Sequence, residues 1–209
     1  MFDVGETLVD ETRIWSSWAD WLGVPRLTFL ALLGGVVARG GEHREVFGII
    51  RPNLDLHAEI ARRAEVGITD EITPADLYPD AVPCLDALCA AGYRVAVVGN
   101  QPTRTEAVIR ALPVPLEFVA SSASWQVRKP SPAFFERIVA ELGLPPQAIA
   151  YVGDRVDNDV EPAAAAGLRS VFVRRGPWGW IQAGESDPPA AAIVVDSLAA
   201  LPEALERLV

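Results

Sequence analysis

The chain has 209 residues, half of them apolar and 22% charged, which is enough for one sizeable core and excludes wholesale disorder. Twenty-eight acids against eighteen bases leave a formal charge of −10, so no basic stripe is available to follow a phosphate backbone, and nucleic acid is excluded as a partner. The longest uncharged apolar-rich run, residues 27–38, holds twelve residues with two glycines, too short to cross a bilayer, and the opening MFDVGE has no basic leader, so a cytoplasmic protein is expected.

In chain order, residues 1–4 are expected to form a first strand of only about 13 Å at ~3.3 Å per residue. A stub of that length in mid-sheet is costly, so further apolar residues are expected upstream of Met1 in the natural chain; intact mass of the native protein checks this. Residues 11–77 then read as helical throughout. Trp15, Trp18 and Trp21 recur at intervals of three on one helix flank that Gly23 and Pro25 end, a pattern that serves packing rather than a ligand platform. Further helical patterns cover 26–39, where Gly34-Gly35 marks an expected bend, 42–50 and 54–65. His43 and His57 fall on different helices and read as solvated residues.

From residue 78 onward helices alternate with short valine- and isoleucine-rich runs at 94–98, 116–120, 148–152, 170–173 and 192–195. Near-continuous apolar runs fit a parallel sheet buried on both faces. Between them, Pro79-Asp80 leads into a helix over 81–91, and Ser131-Pro132 places serine at a cap and proline in the first turn. Gly92, Gly143 and Gly167 stand where helices stop. Cys84 and Cys89 match no metal or disulfide spacing and read as buried thiols of a reducing compartment. The expected fold is α/β, a Rossmann-like doubly wound parallel sheet formed by 1–10 and 78–209, with a small all-helical insert over 11–77 after the first strand.

In such a sheet ligands bind beyond the carboxyl ends of the strands. There the sequence places Asp3-Val4-Gly5-Glu6-Thr7-Leu8, then Gly99-Asn100, then Arg128-Lys129-Pro130, and finally Gly153-Asp154-Arg155-Val156-Asp157-Asn158-Asp159. Hard carboxylate oxygens suit Mg²⁺, and an ammonium beside them offsets the charge of a nucleophile and a phosphoryl group together. Lys129 has its own argument. Seventeen of the eighteen basic residues are arginine, so a position that keeps lysine points to a need for a compact charge. Asp157 and Asn158 either cap the following helix or touch metal. Trp178 and Trp180 read as indoles over the sheet end, or as an interaction patch. Arg104, Arg128 and Arg155 either draw an anion to the rim or are solvated.

The order of these pieces resembles the haloacid dehalogenase-like (HAD) hydrolase superfamily, whose motifs are matched by DVGETL, by Lys129 and by GDRVDND. The resemblance covers the whole chain, with 11–77 in the place of a helical cap. It implies a phosphatase acting on a small phosphorylated molecule, as a monomer or a homodimer. Asp3 would then be the nucleophile that becomes an aspartyl-phosphate, and Lys129 would orient it. Asp3, the carbonyl of Gly5, Asp154 and Asp159 would hold Mg²⁺.

Two departures stand out. Gly5 replaces a second aspartate that protonates the leaving group, a contribution typically of about 10²–10⁴-fold. Gly99 replaces a phosphate-binding hydroxyl, a loss of about 10²–10³-fold, although the amides of Gly99 and Asn100 remain for the phosphate. Glu6, one position beyond Gly5, should point elsewhere. The two glycines also motivate a second expectation, a catalytically degraded binding or regulatory protein. Phosphonate-cleaving members use a cap lysine and dehalogenating members a tyrosine at the place of Gly5; this chain has neither.

Overall fold

Valine- and isoleucine-rich runs that are apolar on both faces require cover on both faces, and the chain supplies it with helices. The computed structural model describes residues 1–184 and 187–207, so the expected end of the sheet-bearing segment at 209 lies outside the described residues. The described chain divides into two compact units, Met1–Asp10 with Thr73–Val209, and Glu11–Ile72.

The first unit holds five short strands: β1 (Val97–Gly99), β2 (Val119–Ser121), β3 (Ala150–Gly153), β4 (Arg169–Val173) and β5 (Ile193–Val195). All their pairings are parallel: Val98 faces Ala120, Val152 faces Val171, and Phe172 faces Val194. Phe2 bridges Val97 on one side and Val152 on the other, which gives the order β2–β1–Phe2–β3–β4–β5. The expected strand over 1–4 shrinks to this one bridged residue. The Val4 carbonyl already turns inward to accept from the amides of Leu8 and Val9, so pairing cannot continue past Asp3. The other strands start or end one to three residues from their expected limits.

Helix α5 (Ala81–Ala90) precedes β1, α6 (Thr103–Arg110) follows it, and α7 (Ser122–Trp125) follows β2. Before β3 comes α8 (Pro132–Leu142), ended by Gly143 in the left-handed conformation at φ +63°. Its Phe134, Phe135 and Ile138 are fully buried in a cluster with Met1, Ala96, Val98 and Tyr151, each phenyl contributing about 1.5–3 kcal/mol relative to exposure. A π-helical turn, Val156–Val160, leads into α9 (Glu161–Ala165). Helix α10 (Gly176–Ala183) follows β4, and α11 (Leu201–Glu206) closes the described chain.

Residues 73–77, read from the sequence with the helical insert, belong to the sheet-bearing unit. Leu77 pairs antiparallel with Val9, the Asp10 amide donates to the Asp76 carbonyl, and the Tyr78 amide donates to the Leu8 carbonyl. Asp80 and Ser131 stand next to helix starts as expected, yet neither side chain caps its helix.

The second unit consists of α1 (Thr12–Leu22), α2 (Arg26–Ala38), α3 (Glu45–Ile50) and α4 (Leu56–Glu65). Gly23 ends α1 at φ +70°, and α2 runs on through Gly34-Gly35. Trp15 and Trp18 pack against Phe47, the latter edge-on at 4.7 Å. The indoles of Trp15, Trp18 and Trp21 donate to Glu11, Asp70 and Glu59. The flank is thus fully used in packing and hydrogen bonds. Arg63, which periodicity does not single out, is 1% exposed and lies 3.8 Å over the Trp18 ring, donating to Ser17 and Asp70. His43 sits edge-on to Trp15 beside Glu42, and His57 is exposed. No single helix among the described residues is long and apolar enough to cross a membrane.

Candidate active site

Phe2 fixes Asp3 at the carboxyl edge of the sheet, because the Asp3 amide donates to the Val152 carbonyl at 2.9 Å. Three carboxylates meet there. Asp3, Asp154 and Asp159 each offer an oxygen, and these atoms lie within 4.8 Å of one another; all three residues are buried. The Lys129 ammonium enters the same space, 2.7 Å from Oδ1 of Asp3 and in a short contact with Oδ1 of Asp159. Segments separated by more than a hundred residues therefore share one charged centre.

Two glycines make room for it. A β-carbon on Gly99, at the end of β1, would lie 2.3 Å from Oδ1 of Asp3. One on Gly153, at the end of β3, would lie 2.4 Å from Cγ of Asp159. Neither position can carry a side chain without displacing a carboxylate. The π turn after Asp154 brings Asp159 back toward it: the Arg155 amide donates to Oδ2 of Asp159 at 3.1 Å, and the Asp159 amide to the Arg155 carbonyl. π turns recur at functional sites.

The electrostatics follow from burial. Loss of solvation, then the charges of Asp159 and Asp3, push the Asp154 carboxyl well above the ordinary range. Asp159 is pushed up to about 6 by burial, with Lys129 opposing the shift and Asp3 adding to it. Burial disfavours the Lys129 ammonium, but Asp159 and Asp3 outweigh that and hold it charged. With all three carboxyls ionised, one ammonium leaves two excess negative charges, which a single divalent cation offsets. Oδ1 of Asp154 accepts from Thr7 at 3.3 Å, whereas its Oδ2 is buried with no hydrogen-bond partner, as an oxygen reserved for a cation would be. The donor set is all oxygen and hard, so the residues present fit Mg²⁺.

The remaining candidates fall into place around this centre. Gly5 lies in the tight turn closed on the Val4 carbonyl and bridges to Val9. Glu6 adopts φ +50°; its Oε2 accepts from the Tyr78 hydroxyl at 2.6 Å and packs against Gly176. Its carboxyl is thus tied to Tyr78 beside Gly176. The Asn100 side chain is engaged with the backbone of Lys129. Asp157 neither caps nor joins the trio, since Arg155 and Gln182 occupy its oxygens. Trp178 is buried with Arg155 beside its ring, whereas Trp180 is 67% exposed. Thr7 and Gly153 were not singled out in the sequence, although both stand inside the two motifs that were.

A model of the haloacid dehalogenase-like hydrolase family matches residues 1–167. A glyceraldehyde 3-phosphate phosphatase of Methanopyrus kandleri is 37% identical over 103 residues, 47% of this chain and 44% of that protein. A phosphoglycolate phosphatase of Rhodospirillum rubrum is 32% identical over 122 residues, 57% of this chain and 50% of that protein. The chain spans about half the length of these curated relatives. Among solved structures, a HAD phosphatase from Thermococcus onnurineus superposes with a TM-score of 0.60 at 21% identity, covering 98% of this chain and 95% of that one. A HAD-superfamily hydrolase from Geobacter sulfurreducens gives 0.68 at 21% identity, covering 97% and 93%. At these identities the solved structures speak to the fold alone.

Proposed function

Since the chain belongs to the haloacid dehalogenase-like hydrolase family, we propose that it is a Mg²⁺-dependent phosphatase acting on a small phosphorylated molecule through an aspartyl-phosphate on Asp3. One observation carries this reading: a buried aspartate paired with a buried lysine, beside an Asp154 oxygen that lacks any partner. The named phosphatases among its relatives support the small phosphorylated substrate.

A carboxylate oxygen of Asp3 attacks phosphorus, and the bond from phosphorus to the leaving oxygen breaks. Lys129 offsets the charge that gathers on the carboxylate and the phosphoryl oxygens, while the backbone amides of Gly99 and Asn100 donate to the latter. Water then attacks the phosphorus of the acyl phosphate, releasing inorganic phosphate and restoring Asp3. Asp3, Asp154, Asp159 and the Gly5 carbonyl would hold Mg²⁺, which supplies charge neutralisation to the phosphoryl oxygens when bound. Gly5 offers no proton to the leaving group, so that proton comes from solvent.

Asp3→Asn is expected to abolish Mg²⁺-dependent release of phosphate from an aryl phosphate, measured beside the unchanged chain. The glycines at 5 and 99 favour one rival reading, a protein that binds cation and phosphate without turnover. Calorimetry that detects Mg²⁺ and phosphate binding, with no Asp3-dependent release of phosphate, selects the rival.

A further inference from the structure

The side-chain amide of Asn100 grips both sides of one residue. Its Nδ2 donates to the Lys129 carbonyl at 3.0 Å, and its Oδ1 accepts from the Lys129 amide at 2.9 Å. Donor and acceptor are thus spent together on the lysine backbone, as a neighbouring strand would spend them. Asn100 directly follows β1, whose last residue, Gly99, faces Asp3. The same short segment therefore sets the Asp3 carboxylate at one end and the root of the Lys129 side chain at the other.

The far end of that side chain is equally constrained. The ammonium is shared between Asp3 and Asp159, and it lies 5.4 Å from the ring centroid of Tyr151. The Tyr151 hydroxyl donates to the Val98 carbonyl at 3.1 Å, again on β1. A flexible four-carbon stem delivers its charge reproducibly only if its backbone origin is fixed. Asn100 supplies the side-chain grip on the Lys129 backbone, where the chain runs through a loop rather than a strand or helix.

We propose that Asn100 is a positioning residue whose side chain acts through Lys129, fixing where the ammonium meets Asp3, and that this side chain does not itself bind the phosphoryl group. The inference rests on the phosphatase reading for its kinetic consequence, but not for its spectroscopic one. Misplacement of a catalytic group by about 1 Å reduces rate by roughly 10²-fold.

Lys129 is the chain's one lysine, so growth on ¹⁵N,¹³C-lysine gives a single side-chain ammonium signal without assignment. In Asn100→Ala that signal is expected to shift or broaden, and kcat on an aryl phosphate to fall by roughly 10–100-fold with KM changed by less than about twofold. Asn100→Ser, which keeps a polar group but no two-point grip, should fall between the two; it carries both readouts if the alanine variant does not fold. A raised KM and weaker inhibition by inorganic phosphate, with the ammonium signal unmoved, would place the amide on the phosphoryl group and overturn the proposal. Loss of activity that only tracks loss of folded protein, signal unmoved, overturns it equally. If the unchanged chain turns over no phosphate ester, the phosphatase reading fails by itself, and the ammonium signal in Asn100→Ala still decides whether the grip holds Lys129.

Discussion

Oδ1 of Asp3 stands where a β-carbon on Gly99 would have to go. Restoring the hydroxyl that the family places at this position is therefore not expected to raise turnover, because serine must first push the Asp3 carboxylate aside. Gly99→Ser is expected to lower turnover further and to destabilise the fold by about 1–3 kcal/mol, the usual range for overpacking. Denaturant unfolding beside an aryl phosphate assay checks both, and a faster Gly99→Ser enzyme refutes the argument. Asp159 sets a pH dependence. Its folded value of about 6 exceeds the ordinary 3.8, so folding takes up a proton as pH falls through that window. The stability this group contributes is complete below the unfolded value and is lost as pH rises through the folded one. A cation must displace that proton, so apparent Mg²⁺ affinity is expected to climb as pH rises from about 5 to about 7.5. Calorimetric titration at several pH values measures it, and a flat profile contradicts the assignment.

At the scale of elements, the site depends on how loops are tied to one another. Asp80, just before α5, looks in sequence like a helix start and works instead as a junction. Its carboxylate accepts from Arg175 after β4 at 3.0 and 2.5 Å, and from Ser197 and the Leu198 amide after β5. Arg175 in turn donates to the Thr7 carbonyl in the turn that follows Asp3. Asp80→Ala leaves a largely buried guanidinium without its carboxylate and is expected to lose roughly 2–3 kcal/mol in denaturant unfolding, in line with hydrogen bonds to charged groups. A loss below about 0.5 kcal/mol would show that the junction is ornamental. No periodicity announces such a tie, since it joins four segments that are separate in sequence. The π turn is hidden for a similar reason: the five-residue interval between Asp154 and Asp159 is visible, but not the backbone that closes it.

For the molecule as a whole, the alternation of apolar runs with helices was enough to give a parallel doubly wound sheet, because burial on both faces leaves that pattern in composition. The strand limits were less legible. Pairing stops where the partner strand stops, and the stub around Phe2 ties to its two neighbours through the backbone of Met1, Phe2 and Asp3 alone. Lys129 stands out in the sequence through the scarcity of its kind, whereas nothing in the sequence marks the side chain of Asn100, which holds the lysine backbone. Catalysis should show the missing acid at Gly5. Aryl and acyl phosphates, whose leaving groups need no proton, are expected to exceed alkyl phosphates of similar size by at least about 10²-fold in kcat/KM. Glycerol phosphate cleaved as fast as a comparable aryl phosphate would contradict this.

The burial of Lys129, 1% exposed, reaches beyond catalysis. Reagents that acylate amines meet no lysine on the surface of this protein, only one sealed against the sheet. Acylation there proceeds at the rate at which the centre opens to solvent, so the time course of acyl mass located on the Lys129 peptide, apart from that on the Met1 amine, is a clock for breathing of the core.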